Sequence, residues 1–146
     1  MQPNLDQLDL VTGDMEASIA FYRELGVEIP EEAVWRTASG AHHVDLTMPG
    51  GLILHFDSEA LALAYDAGWS APAGSGSRTV LSFKVASREE VDAIYEKLTG
   101  LGHRSAQPPY DTFWGSRYAI VEDPDGNHVG VMSPQDPSRR APPPDI

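Results

Sequence analysis

Histidine and carboxylate side chains spaced two residues apart are the groups in this sequence that could do chemistry. His55 and Asp57 occupy a predicted strand over 52–57, in which they alternate with Leu54 and Phe56. Successive side chains of a strand point to opposite faces, so the two polar residues share one face. A histidine titrates near neutral pH and can act as a general base or a metal ligand. His55 is therefore a candidate for binding or catalysis; the alternative is a polar residue satisfied within the sheet.

The same alternation predicts a polar face on four further strands, over 7–12, 41–48, 80–85 and 127–132. The opposite face of each strand is apolar and must pack under a helix. A purely structural sheet would leave the polar face in water, whereas a curled sheet would make it the wall of a pocket. This face supplies most of the predicted ligand-binding residues, namely Gln7, Asp9, His43, His55, Asp57, Lys84 and His128.

Two more candidates precede the last predicted hairpin, in the segment Trp114-Gly115-Ser116-Arg117-Tyr118. Arg117 could hold an anionic ligand group through two hydrogen bonds, or it could form an ion pair with one of the many acids. Trp114 could stack at the mouth of a pocket or anchor a lid. The sequence has no serine–histidine–acid set, phosphate loop or nucleotide-binding fingerprint.

Composition limits the classes of partner. The formal net charge of −12 disfavours nucleic acids and anionic membranes, and it favours solubility or the attraction of a cationic ligand. The absence of cysteine excludes disulfides, thiolate catalysis and cysteine-bound metal, and it favours a cytoplasmic location. No segment has the apolar length of a membrane span, and no signal peptide is visible.

The elements that must position these side chains occur twice. Tyr22 corresponds to Tyr95 and Leu25 to Leu98, each pair 73 positions apart, within a strand-then-helix pattern. Helix caps are predicted at Asp14, Ser58 and Ser87. Ser58 begins a short predicted helix over 58–67. A repeated unit of this length predicts tandem modules. We expect one domain over 1–134, built from module 1 (about 5–67), a flexible linker (68–78) and module 2 (about 79–133), with a disordered tail over 135–146.

Three features of the sequence resemble the vicinal oxygen chelate superfamily. They are the repeat, the segment Asp14-x-x-x-Ser18-x-x-Phe21-Tyr22-x-x-Leu25-Gly26 and the turn Asp123-Pro124-Asp125-Gly126-Asn127. That superfamily includes glyoxalase I, extradiol dioxygenases and the fosfomycin and bleomycin resistance proteins. The resemblance covers about residues 5–133. It implies an α+β fold of two tandem βαβββ modules, which form a curled mixed sheet with helices on the outer face, usually in a homodimer.

The resemblance also implies where a metal would be held, at four positions. Two of these carry possible ligands, Gln7 and His55, whereas the other two carry Val80 and Gly130, which have no donor atom. A catalytic metal needs at least three protein ligands. His43 or His128 could substitute, but neither matches the motif. We therefore expect no metal and no other cofactor; if a metal is present, Gln7 and His55 are its expected ligands.

Two functions stay open at this point. The first is a metal-independent protein of the bleomycin-resistance type that binds, and possibly sequesters, a small organic molecule. The second is a metal-dependent lyase, isomerase or dioxygenase that acts on a small oxygenated substrate. The missing ligand positions, the three tryptophans and the acidic charge favour the first. The loops 27–40 and 104–116, which would shape the pocket, carry no diagnostic pattern.

Overall fold

The computed structural model describes residues 1–74 and 76–146. The chain folds into two compact units, Met1–Gly74 and Ser75–Ile146. Ser75, in the predicted linker, lies outside the described residues, and the predicted domain bounds stay a prediction. None of the helices among the described residues has the length and apolar character needed to cross a membrane.

The first unit is a four-stranded sheet with helices. Its strands run in the order β1-β4-β3-β2, with β1 parallel to β4 and the other pairs antiparallel. The elements in chain order are β1 (Gln7–Thr12), α1 (Met15–Leu25), a 3-10 turn (Glu31–Ala33), β2 (Val34–Thr37), β3 (Gly40–Thr47), β4 (Ile53–Ser58) and α2 (Glu59–Tyr65).

Helix α1 covers the apolar face of this sheet. The predicted cap is present, since the Asp14 carboxylate accepts the backbone N–H of Ala17, and the helix ends at Gly26 with a left-handed φ of 112°. Tyr22 is fully buried, and its ring lies 4.7 Å from that of Phe56 on β4. This packing removes a large apolar area from water and fixes which face of the sheet is the core.

The strand register places the polar side chains of the first unit on the other face. His55 on β4 lies opposite Asp9 on β1 and Asp45 on β3, and Asp57 lies opposite His43. The alternating residues are the buried apolar ones, Val44, Leu46, Leu54 and Phe56. The predicted alternation is therefore present in β3 and β4, and the register aligns β1 with β4.

The second unit repeats the first. Its strands run in the order β5-β8-β7-β6, again with one parallel pair, β5 with β8. The elements are β5 (Val80–Lys84), α3 (Arg88–Gly100), β6 (Ser105–Asp111), β7 (Arg117–Glu122), β8 (His128–Met132) and a 3-10 turn (Pro137–Arg139). The predicted α+β fold of two tandem βαβββ modules is confirmed.

Part of the tail makes backbone hydrogen bonds within the second unit, and disorder over 135–146 as a whole stays a prediction. The N–H of Asp136 donates to the carbonyl of Gly115, and the N–H of Ala141 donates to that of Phe113. Asp136 also caps the turn over Pro137–Arg139. Pro137 at the start of this turn favours the φ angle that the turn needs.

Candidate functional site

A cavity of 260 Å³ opens on the polar face of the first sheet. Helix α2 forms one side of it, because Ser58 begins this helix directly after β4 by accepting the N–H of Leu61. The helix contributes Leu61 and Tyr65, and the strands contribute the rest. The lining residues are Gln7, Asp9, His43, His55, Asp57, Leu61 and Tyr65.

The most buried polar group of the cavity is the Asp57 carboxylate, which is 1% exposed. Nδ1 of His43 donates to its Oδ1 at 2.6 Å, and the Tyr65 hydroxyl donates to its Oδ2 at 2.7 Å. Burial, followed by the hydrogen bond to Asp57, raises the pKa of the Tyr65 hydroxyl well above its usual range. Tyr65 is therefore a fixed donor, and a buried carboxylate of this kind is stable because both its oxygens are hydrogen-bonded.

A second carboxylate orients His55. Nδ1 of His55 donates to Oδ1 of Asp9 at 2.9 Å, and the Gln7 amide donates to Oδ2 of Asp9 at 3.0 Å. Burial raises the pKa of the Asp9 carboxyl, but the hydrogen bonds from His55 and Gln7 outweigh it, so the pKa is lowered overall. Asp9 is therefore an anion at neutral pH.

The two histidines thus have the same arrangement. Each places Nδ1 within hydrogen-bond distance of a carboxylate, which orients the ring and turns Nε2 away from that carboxylate. Their rings lie 4.7 Å apart. Nε2 of His55 lies 3.5 Å from Oδ1 of Asp45, which is mostly exposed at the rim. Two oriented imidazoles can accept hydrogen bonds from a ligand, remove a proton from it or bind a metal ion.

The structure brings together five of the predicted site residues, Gln7, Asp9, His43, His55 and Asp57. It adds Asp45, Leu61 and Tyr65, which the sequence analysis did not propose. Asp45 lies two residues after His43 and therefore on the same face of β3, so the alternation could have predicted it. Tyr65 had no such signal, because its place depends on how α2 packs on the sheet.

The other four predicted residues, Lys84, Trp114, Arg117 and His128, belong to the second unit. Nε of Arg117 donates to Asp92 at 2.9 Å, and Nη1 donates to Asp111 at 3.3 Å. The hydrogen bond to Asp92 raises the pKa of the Arg117 guanidinium. The ring of Trp114 lies 5.9 Å from that of Tyr118. A role of these four residues in ligand binding stays a prediction.

The four family metal positions do not fit a metal in this chain. Val80 has no donor atom, and Gly130 has no room for a longer side chain. A Cβ atom built at Gly130 would lie 2.6 Å from both the Ser82 and the Tyr118 hydroxyl oxygens, which hydrogen-bond to each other at 2.8 Å. The space that a ligating side chain would need is thus filled by this hydroxyl pair.

Comparison with known proteins places these features in context. The model of the Glyoxalase/Bleomycin resistance protein/Dioxygenase superfamily matches residues 4–131. No curated protein matches the chain.

Several solved structures share the fold. A glyoxalase-related enzyme from Fulvimarina pelagi has a TM-score of 0.72 at 24% identity, over 91% of this chain and 89% of its own. A glyoxalase/bleomycin resistance protein/dioxygenase from Nocardioides has a TM-score of 0.65 at 24% identity, over 100% and 91%. A lactoylglutathione lyase from Agrobacterium tumefaciens has a TM-score of 0.61 at 22% identity, over 91% and 95%. At these identities, the likeness shows the fold alone.

Proposed function

Because the chain belongs to the Glyoxalase/Bleomycin resistance protein/Dioxygenase superfamily, we propose that it binds a small polar organic molecule in the cavity of its first unit, independently of the family metal centre. The observation that carries this proposal is the set of oriented polar groups around 260 Å³ of space. Concave sites that combine a few fixed polar groups with apolar contacts are typical of ligand binding.

The chemistry of the lining favours a particular class of ligand. Asp9 and Asp57 bring two carboxylates to the lining, and both imidazoles lie against them. The hydroxyl hydrogen of Tyr65 is donated to Asp57, so this hydroxyl can only accept from a ligand. Acceptors therefore dominate, so the ligand should carry N–H or O–H groups or a positive charge. The volume lies below the roughly 300–1,000 Å³ of sites for drug-sized compounds, which limits the ligand to a small molecule.

The experiment is a thermal-shift screen of small amines, amino alcohols and polyols against the full chain in the presence of a chelator. A ligand at a hundred times its dissociation constant adds about 2.7 kcal/mol to the free energy of unfolding. The shift should disappear in His55→Ala and Tyr65→Phe and persist in His42→Gln. His42 is the matched control, because it is next to the lining residue His43 on β3 but points to the opposite face of the sheet. Shifts that survive both cavity variants would contradict the proposal.

The second candidate function is an enzyme, a lyase, isomerase or dioxygenase. Two imidazoles, each held by a carboxylate, favour it, because such pairs are suited to proton transfer. One structural neighbour is described as a lactoylglutathione lyase. Mass spectrometry separates the two candidates: a ligand from the screen is recovered unchanged after long incubation if the protein only binds it, and is converted if the protein is an enzyme.

A further inference from the structure

We propose that His43, Asp45 and His55 bind one divalent first-row transition-metal ion on the polar face of the first sheet. Donor atoms of these three residues lie within 4.8 Å of one another. Ligands of a bound Zn²⁺ lie about 2.0–2.2 Å from the ion, so a small inward rotation of the side chains would complete the contact. The site goes beyond the proposed ligand binding and does not depend on it.

The backbone register explains why the three donors converge. Strands β3 and β4 are antiparallel neighbours, and Asp45 lies directly opposite His55. His43 precedes Asp45 by two residues and therefore points to the same face. All three ligands come from one hairpin, so the site needs no loop to close. It also differs from the set that the family resemblance implies, in which Gln7 would join His55.

The hydrogen bonds behind the histidines prepare both of them to ligate. Nδ1 of His43 donates to Asp57, and Nδ1 of His55 donates to Asp9. Metal-bound histidines nearly always donate their other ring nitrogen to a carboxylate, a carbonyl or water, which fixes the tautomer and makes the ligating nitrogen more basic. The Asp57 carboxylate is almost completely buried. Burying this carboxylate costs desolvation free energy, and in return it holds the His43 ring in one orientation.

Charge and donor type indicate the kind of ion. Asp9, Asp45 and Asp57 bring three carboxylates to one face, and a divalent cation would compensate this negative charge. Imidazole nitrogens suit Zn²⁺, Ni²⁺ and Co²⁺, whereas Mg²⁺ and Ca²⁺ prefer sites built from oxygen ligands. Three protein ligands leave open coordination positions.

The test is metal binding by the full chain, freed of metal by a chelator and carrying no histidine tag. Isothermal titration with Zn²⁺ and the visible absorption of bound Co²⁺ should both report one ion per chain. Asp45→Asn changes only an exposed carboxylate, so it should fold normally and weaken binding at least about tenfold. His43→Gln keeps a donor for Asp57 and should have the same effect. His42→Gln should bind as the wild type does, because His42 adjoins His43 on β3 but points to the opposite face.

Three outcomes would overturn the site. The first is the absence of a Co²⁺ signal from the wild-type chain. The second is binding that Asp45→Asn and His43→Gln leave unchanged. The third is binding that Gln7→Ala abolishes and Asp45→Asn does not, which would assign the ion to the positions implied by the family. In each case the thermal-shift screen in chelator still tests ligand binding by the cavity, so the two proposals can fail separately.

Discussion

Leu54 and His55 are neighbours on β4 that point to opposite faces, and replacing each by alanine should have very different effects. Leu54 is 2% exposed and lies on the apolar face of β4. Its truncation removes three carbon atoms, at about 0.8 kcal/mol each, and adds the cost of a cavity. We therefore expect Leu54→Ala to lower the free energy of unfolding by about 3–4 kcal/mol.

His55→Ala should be much milder. The histidine borders an open cavity, so its removal exposes polar groups to water and leaves no closed void. The main loss is the hydrogen bond to Asp9, whose side chain is 30% exposed and can be solvated instead. A net loss of about 1 kcal/mol or less follows.

Urea denaturation followed by circular dichroism measures both variants, with the wild type as reference. The slope of the transition should stay the same in all three proteins. If His55→Ala cost more than Leu54→Ala, the polar and apolar faces of β4 would be assigned the wrong way round. The assignments of the ligand cavity and of the metal site would then both be wrong.

Three further outcomes are expected. Tyr65→Phe removes one of the two donors to the buried Asp57 carboxylate, so denaturation should show a loss of about 1–3 kcal/mol. The lowered pKa of Asp9 means that its contribution to stability is complete above the unfolded value, near 3.8, and is lost as the pH falls through the lower folded value. The difference in free energy of unfolding between wild type and Asp9→Asn should therefore shrink as the pH falls below about 3.8. Light scattering should show a homodimer, as the family resemblance implies, because both sheets have open edge strands; a monomer at micromolar concentration would contradict this.

The central strands and long helices of the fold could be predicted because the sequence repeats. Tyr22 and Tyr95 mark equivalent helical turns, and each helix begins at a polar cap that the structure confirms. Strands β2 and β6 could not be located, and both are sheet edges. An edge strand pairs on one side only and needs little apolar alternation. In β2 only Val34 is buried, and β6 includes two consecutive prolines.

The strand part of the site could be predicted for a simpler reason. Alternation along β1, β3 and β4 fixes which residues share a face, and this local rule found His43, His55 and their neighbours. Tyr65 lies on a predicted helix, but only the packing of that helix on the sheet brings its hydroxyl to Asp57. Such long-range placement has no local signature in the sequence.

The crowded environment of Gly130 has a consequence for how this protein could change over generations. A carboxylate can enter at position 130 only if the Tyr118 and Ser82 hydroxyls move, so a single change to the type of ligand that the family resemblance implies would strain the site. A second change that shortens Tyr118 would relieve this strain, so the effects of the two changes on stability should be coupled. Among homologous sequences, we therefore expect glycine at 130 to accompany tyrosine at 118, and a smaller residue at 118 wherever glutamate occupies 130.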